Sequence, residues 1–419
     1  MDFIKEVLFA NKSPKQIVLK NTFWLVLAQI FTRLFKFLLV VFSARILGPE
    51  DWGSFQYVLS IASFFFIFSD FGIGYLVIRD YQQKEDFKER VNTGSLIREI
   101  LALLSLFIAL LASLIFENIN FRKTFIVLSL FLFLGNLRDY LLNFFQALQR
   151  MERQFLLVFI ESFLTLIFGI IFLLTLKNIT SLALAYFLGV VFSFVAGIAL
   201  AKNLISYLRP KFNFQFFEYY LKNGLPLALF GMLGFIFFTT DQIILGKLKG
   251  VEAVGYYSIV NRIISILLTF SFLFLTALFP QLALNVEDKE RLKKIFKKSI
   301  PFIVSINFLF FILVLIFADF LPLIFGDKYM PSIQPLKLLS LILFLLPLTN
   351  LFDNFLFSIN KQWQDFLITL FCAGLNITLN FIFIPQYSIF GAIYATLISQ
   401  FINLILTSFL SYRYFKILK

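Results

Sequence analysis

The sequence predicts an all-α integral membrane protein with about twelve spanning helices in two six-helix bundles. Three observations carry that prediction. Sixty per cent of the residues are hydrophobic and only 15% are charged, whereas a soluble chain carries about 25% charge. The apolar residues gather into runs of about 20, the length a bilayer demands of a helix. Short motifs recur about half a chain length apart, so the two halves read as related, with residues 1–210 as one bundle and 211–419 as the other.

The runs fall at about 20–44, 52–78, 94–116, 122–146, 155–176, 179–201, 223–246, 253–279, 299–318, 334–358, 364–385 and 389–412. The divisions at Lys177-Asn178 and Tyr387-Ser388 rest on the shortest turns. The first run is too long for a signal-peptide core and no small-residue cleavage site follows it, so it is expected to stay as an anchor.

Charge supports the count. With the N-terminus inside, 24 of the 37 Lys and Arg lie in cytosolic segments and 8 in outer turns. That is the bias of the positive-inside rule, and it places both termini in the cytoplasm. The net charge of +13 is spread over cytosolic loops as a topology signal. It is not a nucleic-acid surface, and membrane lipids are the expected contact, above all for Lys289 to Lys298. The longest loops, about 79–93 and 280–298, are too short to be domains. The chain has no histidine and a single cysteine, Cys372. A His-based metal site, a His proton relay and an internal disulfide are therefore excluded, and proton chemistry falls mainly to Asp and Glu. No P-loop, G-x-S-x-G, H-E-x-x-H or C-x-x-C is present, so neither an enzyme nor an ATP-driven pump is expected, and no cofactor.

Two motifs mark the duplication. Gly48-Pro49-Glu50-Asp51-Trp52-Gly53-Ser54-Phe55 shares G-x-E-x-x-G-x-aromatic with Gly250 to Tyr257, 202 residues on. Asn143 to Arg150 shares N-F-x-x-small-x-x-basic with Asn354 to Lys361, 211 residues on. Six helices per half bring both halves in from the same side, as parallel repeats.

Charges at membrane depth cost several kcal/mol unless they face a cavity or a partner. Gln29, Arg33 and Lys36 share one helical face, and the two cations lie roughly 20 Å into the first helix at 1.5 Å per residue. They are candidates for a cationic cavity, or for structural ion pairs. Arg138, with Asp139 beside it, and Arg262, on a face with Ser258, Ser265 and Thr269, meet the same choice. Arg98 is near enough to the cytosolic edge to snorkel. Asp241 follows Thr239 and Thr240 and is the candidate for ion coupling, or else the structural partner of a cation; Gly231 and Gly234 nearby would allow close helix approach. Glu161 and Asp353 are expected to be structural, and Asp70 to sit at a helix break. Asn350, Asn376, Asn380 and Gln400 could bond between helices or meet sugar hydroxyls.

These residues carry a resemblance. Ala44 to Gly53, Asp70 to Gly74 with Arg79, Gly224-Leu225-Pro226, Asp241 to Gly246, Val254 to Tyr257, Asn376 to Pro385 and Gly391 to Thr396, in this order, resemble the polysaccharide-transport branch of the multidrug/oligosaccharidyl-lipid/polysaccharide (MOP) exporter superfamily. Wzx-type O-antigen flippases are its most similar members. The resemblance implies a V-shaped pair of six-helix bundles around a central cavity. It implies alternating access that carries an undecaprenyl-pyrophosphate-linked oligosaccharide across a prokaryotic cytoplasmic membrane. It further implies a cationic lumen, coupling to H+ or Na+ in some members, and work alongside glycan polymerases. A multidrug exporter or a lipid II flippase of the same superfamily is the alternative; the first would want acidic or aromatic sites and the second typically has two more helices. A membrane glycan polymerase or ligase would usually show a sizeable external loop, and none is visible.

Overall fold

A single break defines the first element. Helix α1, Pro14–Phe65, has 52 residues, more than twice a bilayer span, and it turns at Gly48, where φ is 76° and ψ is 177°. An L side chain rarely adopts that φ, and Pro49 then opens the second span with its φ already set. The chain is described here by a computed structural model over residues 14–80, 86–202, 211–286 and 288–417. Lys5, Lys12, Lys84, Arg209 and Lys419, counted above for topology, lie outside the described residues.

The other helices follow the predicted runs: α2 Ile73–Asp80, α3 Phe87–Ala112, α4 Ile119–Ala147, α5 Met151–Leu176, α6 Ile179–Ala201, α7 Phe214–Phe235, α8 Asp241–Lys249, α9 Val251–Leu284, α10 Lys289–Phe317, α11 Leu321–Phe325, α12 Ile333–Leu339, α13 Ile342–Ser358, α14 Gln362–Tyr387 and α15 Ile389–Ile417. No strand occurs among the described residues. Nine helices there are long and apolar enough to cross a membrane, or ten when the pair bent by 43° after Leu339 is taken as one span.

Three predicted runs are interrupted. The second breaks after Phe65 in a turn with Phe71 at φ 50° and Gly72 at φ 71°, which is the break expected at Asp70. The tenth bends between α12 and α13. The seventh is divided by a π-helical turn, Ile236–Thr240, directly before Asp241. Such a turn costs regular hydrogen bonds and is found mostly at functional positions.

The chain divides into two compact units. One runs to Leu47 and then takes Val58–Met232; the other takes Gly48–Tyr57 and everything from Leu233. The division between the units falls inside α7, between Met232 and Leu233, and the ten residues Gly48–Tyr57 group with the second unit. The first unit packs Ile73, Leu76, Val91, Tyr140 and Phe144 into its core. The second packs Leu275, Leu282, Leu292, Phe296 and Phe355.

Backbone geometry repeats at the duplicated motifs. Gly250 has φ 89° and ψ 167°, close to the values at Gly48. Gln149 and Asn360 both end helices at φ 58° and 59°. Each is followed by the same pair of bonds, Arg150 N to Phe145 O at 2.9 Å and Gln149 N to Gln146 O at 3.0 Å, then Lys361 N to Leu356 O at 2.8 Å and Asn360 N to Phe357 O at 3.1 Å. That is one Schellman cap, built twice. Within the second unit the first motif packs against its own copy. A Cβ on Gly53 would lie 1.8 Å from Val251 O, and one on Gly255 would lie 2.0 Å from Pro49 O.

Two expectations are corrected here. Arg98 does not snorkel: it is buried, and it pairs with Asp70 at 2.7 Å and bonds Asn136 Oδ1 at 3.0 Å. A paired guanidinium gains more from these partners than from stretching to water. No described neighbour packs closely on Gly231 or Gly234, since a Cβ on either would meet nothing within 4 Å.

Arg138 is built into the first unit's framework. It is buried with Glu161, which pairs with its Nη1, and Asp139 Oδ1 lies 3.1 Å from its Nε. Breaking a buried pair strands the remaining charge and costs about 3–5 kcal/mol. Arg138→Ala is therefore expected to lower the thermal midpoint of the detergent-solubilised protein sharply. Arg138→Ala with Glu161→Ala should recover most of the loss. An unchanged midpoint for the single variant would contradict the pairing.

Candidate functional site

Polar chemistry concentrates in the second unit, on α8, α9, α14 and α15. The carboxylate of Asp241 opens α8 and is 2% exposed. Its neighbours are neutral donors. Tyr257 OH, from α9, donates to Oδ2 at 2.7 Å. Thr396, from α15, offers its hydroxyl to the same oxygen at 2.7 Å. Asn380 Nδ2, from α14, donates to Oδ1 at 2.6 Å and also reaches Asn376 Oδ1 at 3.2 Å. Asn376 Nδ2 lies 3.4 Å from Ser399 Oγ. Among the described residues no cation pairs with Asp241, so hydrogen bonds alone offset its burial. Two hydroxyls and an amide N–H thus converge on the carboxylate, a neutral, hydrogen-bonded surrounding in which it can take up a proton or a monovalent cation.

A cavity of about 330 Å³ adjoins this carboxylate. Trp52, Phe237, Ile264, Leu268, Leu339 and Leu346 supply its apolar wall. Gln56, Gln242, Asn261 and Gln400 supply amides, and Arg262 supplies the one charge among its lining residues. Trp52 Nε1 donates to Ser258 Oγ at 2.8 Å, which fixes the indole in the wall. Gln400 is 3% exposed and its Oε1 bonds no described group. Arg262 pairs with no carboxylate of the described residues, in contrast to Arg98 and Arg138. Tyr257 and Thr396 line this cavity as well as bonding Asp241.

The sequence-predicted residues separate accordingly. Arg262 and Gln400 line the cavity, and Asn376, Asn380 and Asp241 form the cluster behind it. Asn350 is in neither; its Nδ2 donates to Leu346 O of its own helix at 2.9 Å. Gln29, Arg33 and Lys36 lie in the first unit on an exposed face of α1, with Arg33 Nε donating to Gln29 Oε1 at 3.3 Å. Gln56, Gln242, Asn261, Tyr257 and Thr396 escaped the sequence reading. The signal was present: Asn261 follows Tyr257 by one turn on the polar face of α9 that also carries Ser258, Arg262 and Ser265.

The family model described as polysaccharide biosynthesis protein matches residues 18–286. The chain belongs to that family. A second family model, MatE, matches residues 226–382, which include Asp241, Arg262, Asn376 and Asn380. The capsular polysaccharide biosynthesis protein CapF of Staphylococcus aureus is 25% identical over 407 residues, covering 95% of this chain and 99% of that one. Two solved structures share the fold. An inward-facing multidrug resistance MATE family transporter superposes with a TM-score of 0.77 at 15% identity, over 92% of this chain and 95% of that one. The lipid II flippase MurJ, in an inward closed conformation, gives 0.75 at 16%, over 93% and 87%. The chain is thus a polysaccharide biosynthesis family member with the fold of these two proteins and nine or ten apolar candidate spans among the described residues.

Proposed function

We propose that the chain is a flippase that moves an undecaprenyl-pyrophosphate-linked oligosaccharide from the inner to the outer leaflet of a prokaryotic cytoplasmic membrane by alternating access. The observation that carries this reading is the second unit's cavity, where Arg262 stands without a carboxylate partner among amides and an indole. An isolated anion cannot enter hydrocarbon without losing its hydration, at a cost of tens of kcal/mol in the idealised limit. A guanidinium offers a pyrophosphate paired donors, the strong form of the hydrogen bond. Amides with two donors and an acceptor each meet sugar hydroxyls without demanding one sugar. The absence of an acidic lining residue disfavours a site for cationic drugs. Arg33 and Lys36 are the first unit's own candidates for meeting the anionic substrate. Asp241 is the group through which an H+ or Na+ gradient acts, because its charge is balanced by movable donors rather than by a fixed cation.

The test is a leaflet assay in proteoliposomes holding the purified protein and a lipid-linked repeat unit, run with and without proton and sodium gradients. Glycan is expected to reach the outer leaflet only with protein, and faster with one of the gradients. Glycan that crosses no faster with protein than without it would overturn the proposal. Chain elongation instead of translocation would favour a polymerase.

A further inference from the structure

The wall between the cavity and Asp241 is two hydroxyl groups thick. Tyr257 and Thr396 face the cavity on one side and converge on a single carboxylate oxygen, Oδ2, on the other, each at 2.7 Å. A hydroxyl carries one hydrogen and can satisfy one acceptor at a time. Thr396 Oγ1 already has a second acceptor within reach, Ala392 O at 3.0 Å. Tyr257 is 1% exposed, and its hydroxyl commits its hydrogen to Asp241 Oδ2. The groups that meet Asp241 are Tyr257 of α9, Asn380 of α14 and Thr396 of α15, and none of them is charged.

We infer that Tyr257 is a coupling residue: its O–H is bound either by charged Asp241 or by an oxygen of the ligand in the cavity, so neutralising Asp241 strengthens ligand binding. This rests on the reading of the cavity as the substrate site. While Asp241 is charged, its Oδ2 holds both hydroxyls, and the cavity faces their lone pairs, which repel an anion. When a proton or a monovalent cation neutralises Asp241, the pull on both donors falls. Thr396 then turns to Ala392 O, and Tyr257 is free to donate into the cavity beside Asn261 and Arg262. By linkage the effect runs both ways: an anionic ligand that takes the Tyr257 hydrogen favours the neutral form of Asp241 by the same factor. The device gives a ligand differential affinity for two states of the protein, without which no population shift follows.

The test is a double-mutant cycle read by calorimetric binding of inorganic pyrophosphate to the full chain in lipid nanodiscs. Binding is compared in acidic and alkaline buffer, with and without sodium. Wild type is expected to bind roughly tenfold more tightly in the condition that neutralises Asp241, within the range usual for coupled sites. Asp241→Asn should bind at the tighter value in all conditions. Tyr257→Phe should still bind, through Arg262, but with one affinity throughout, and Asp241→Asn should add nothing in that background. Tyr257→Phe that keeps the wild-type dependence overturns the inference, as does a wild type that binds equally in all conditions. A wild type that binds no pyrophosphate at all overturns the cavity assignment, and this inference with it. Thr396→Val provides a second break in the same wall should Tyr257→Phe not yield folded protein. It is expected to reduce the dependence, and full wild-type dependence in Thr396→Val would count against the shared wall.

Discussion

Arg262→Ala is expected to abolish glycan export while leaving a folded, membrane-inserted protein. The two halves of that expectation have one cause. Arg262 lines the second unit's cavity and pairs with no carboxylate of the described residues. Its removal strands no opposite charge, so the stability cost of a broken buried pair does not arise. What is lost is a set of charge-assisted hydrogen bonds to the ligand, each worth about 1.5–3 kcal/mol. Two such bonds amount to a loss of roughly a hundredfold to ten-thousandfold in binding. Arg262→Lys keeps the charge but not the paired donors, and it should retain partial export. Complementation of a deletion strain, read as surface polysaccharide, checks both variants, with membrane abundance measured alongside. Full export by Arg262→Ala would show that the cavity cation does not meet the substrate. The contrast with Arg138 is direct, since truncation there should damage the fold because Glu161 is left behind.

The spans were legible because a bilayer leaves a chain few options. A run of about 20 apolar residues and the side bias of Lys and Arg are both written one residue at a time. The duplicated caps were legible for a similar reason. A left-handed turn needs residues that tolerate it, and the flanking pattern survives at Gln149 and Asn360. Of the interruptions only the break at Asp70 was legible. The π-helical turn at Ile236–Thr240 lies directly before Asp241, and no local propensity announces it. The fate of each buried cation was legible only by half. Sequence places Arg98, Arg138 and Arg262 at depth, but whether a carboxylate meets each one depends on segments 23 to 28 residues away in the two pairs that form. Asp70 meets Arg98 and Glu161 meets Arg138, while no carboxylate of the described residues pairs with Arg262. The site's remaining members, Gln56, Gln242 and Thr396, come from three separate helices and converge only in the fold.

Gly53→Ala is expected to cost the folded state at least about 3 kcal/mol, the upper end of ordinary overpacking. The added methyl would lie 1.8 Å from the carbonyl oxygen of Val251. A clash with a flexible side chain is relieved by a change of rotamer, but this one is with backbone, so α9 itself must move. Gly255→Ala meets the mirror situation at 2.0 Å from Pro49 O, in the copy of the same motif. Gly231→Ala is the control: its methyl enters open space, and alanine is favoured over glycine in a helix by about 1 kcal/mol. Thermal unfolding of the three variants in one detergent should therefore give two large losses and a neutral or raised midpoint. A Gly53→Ala midpoint equal to wild type would refute the close approach. The double variant is the sharper measurement. Both methyls press the same pair of chain segments apart, and the separation that relieves one relieves much of the other. Gly53→Ala with Gly255→Ala should cost clearly less than the sum of the single variants. Strict additivity would mean that the two motifs pack independently, and that their contact is not the shared, reciprocal one that the duplication built.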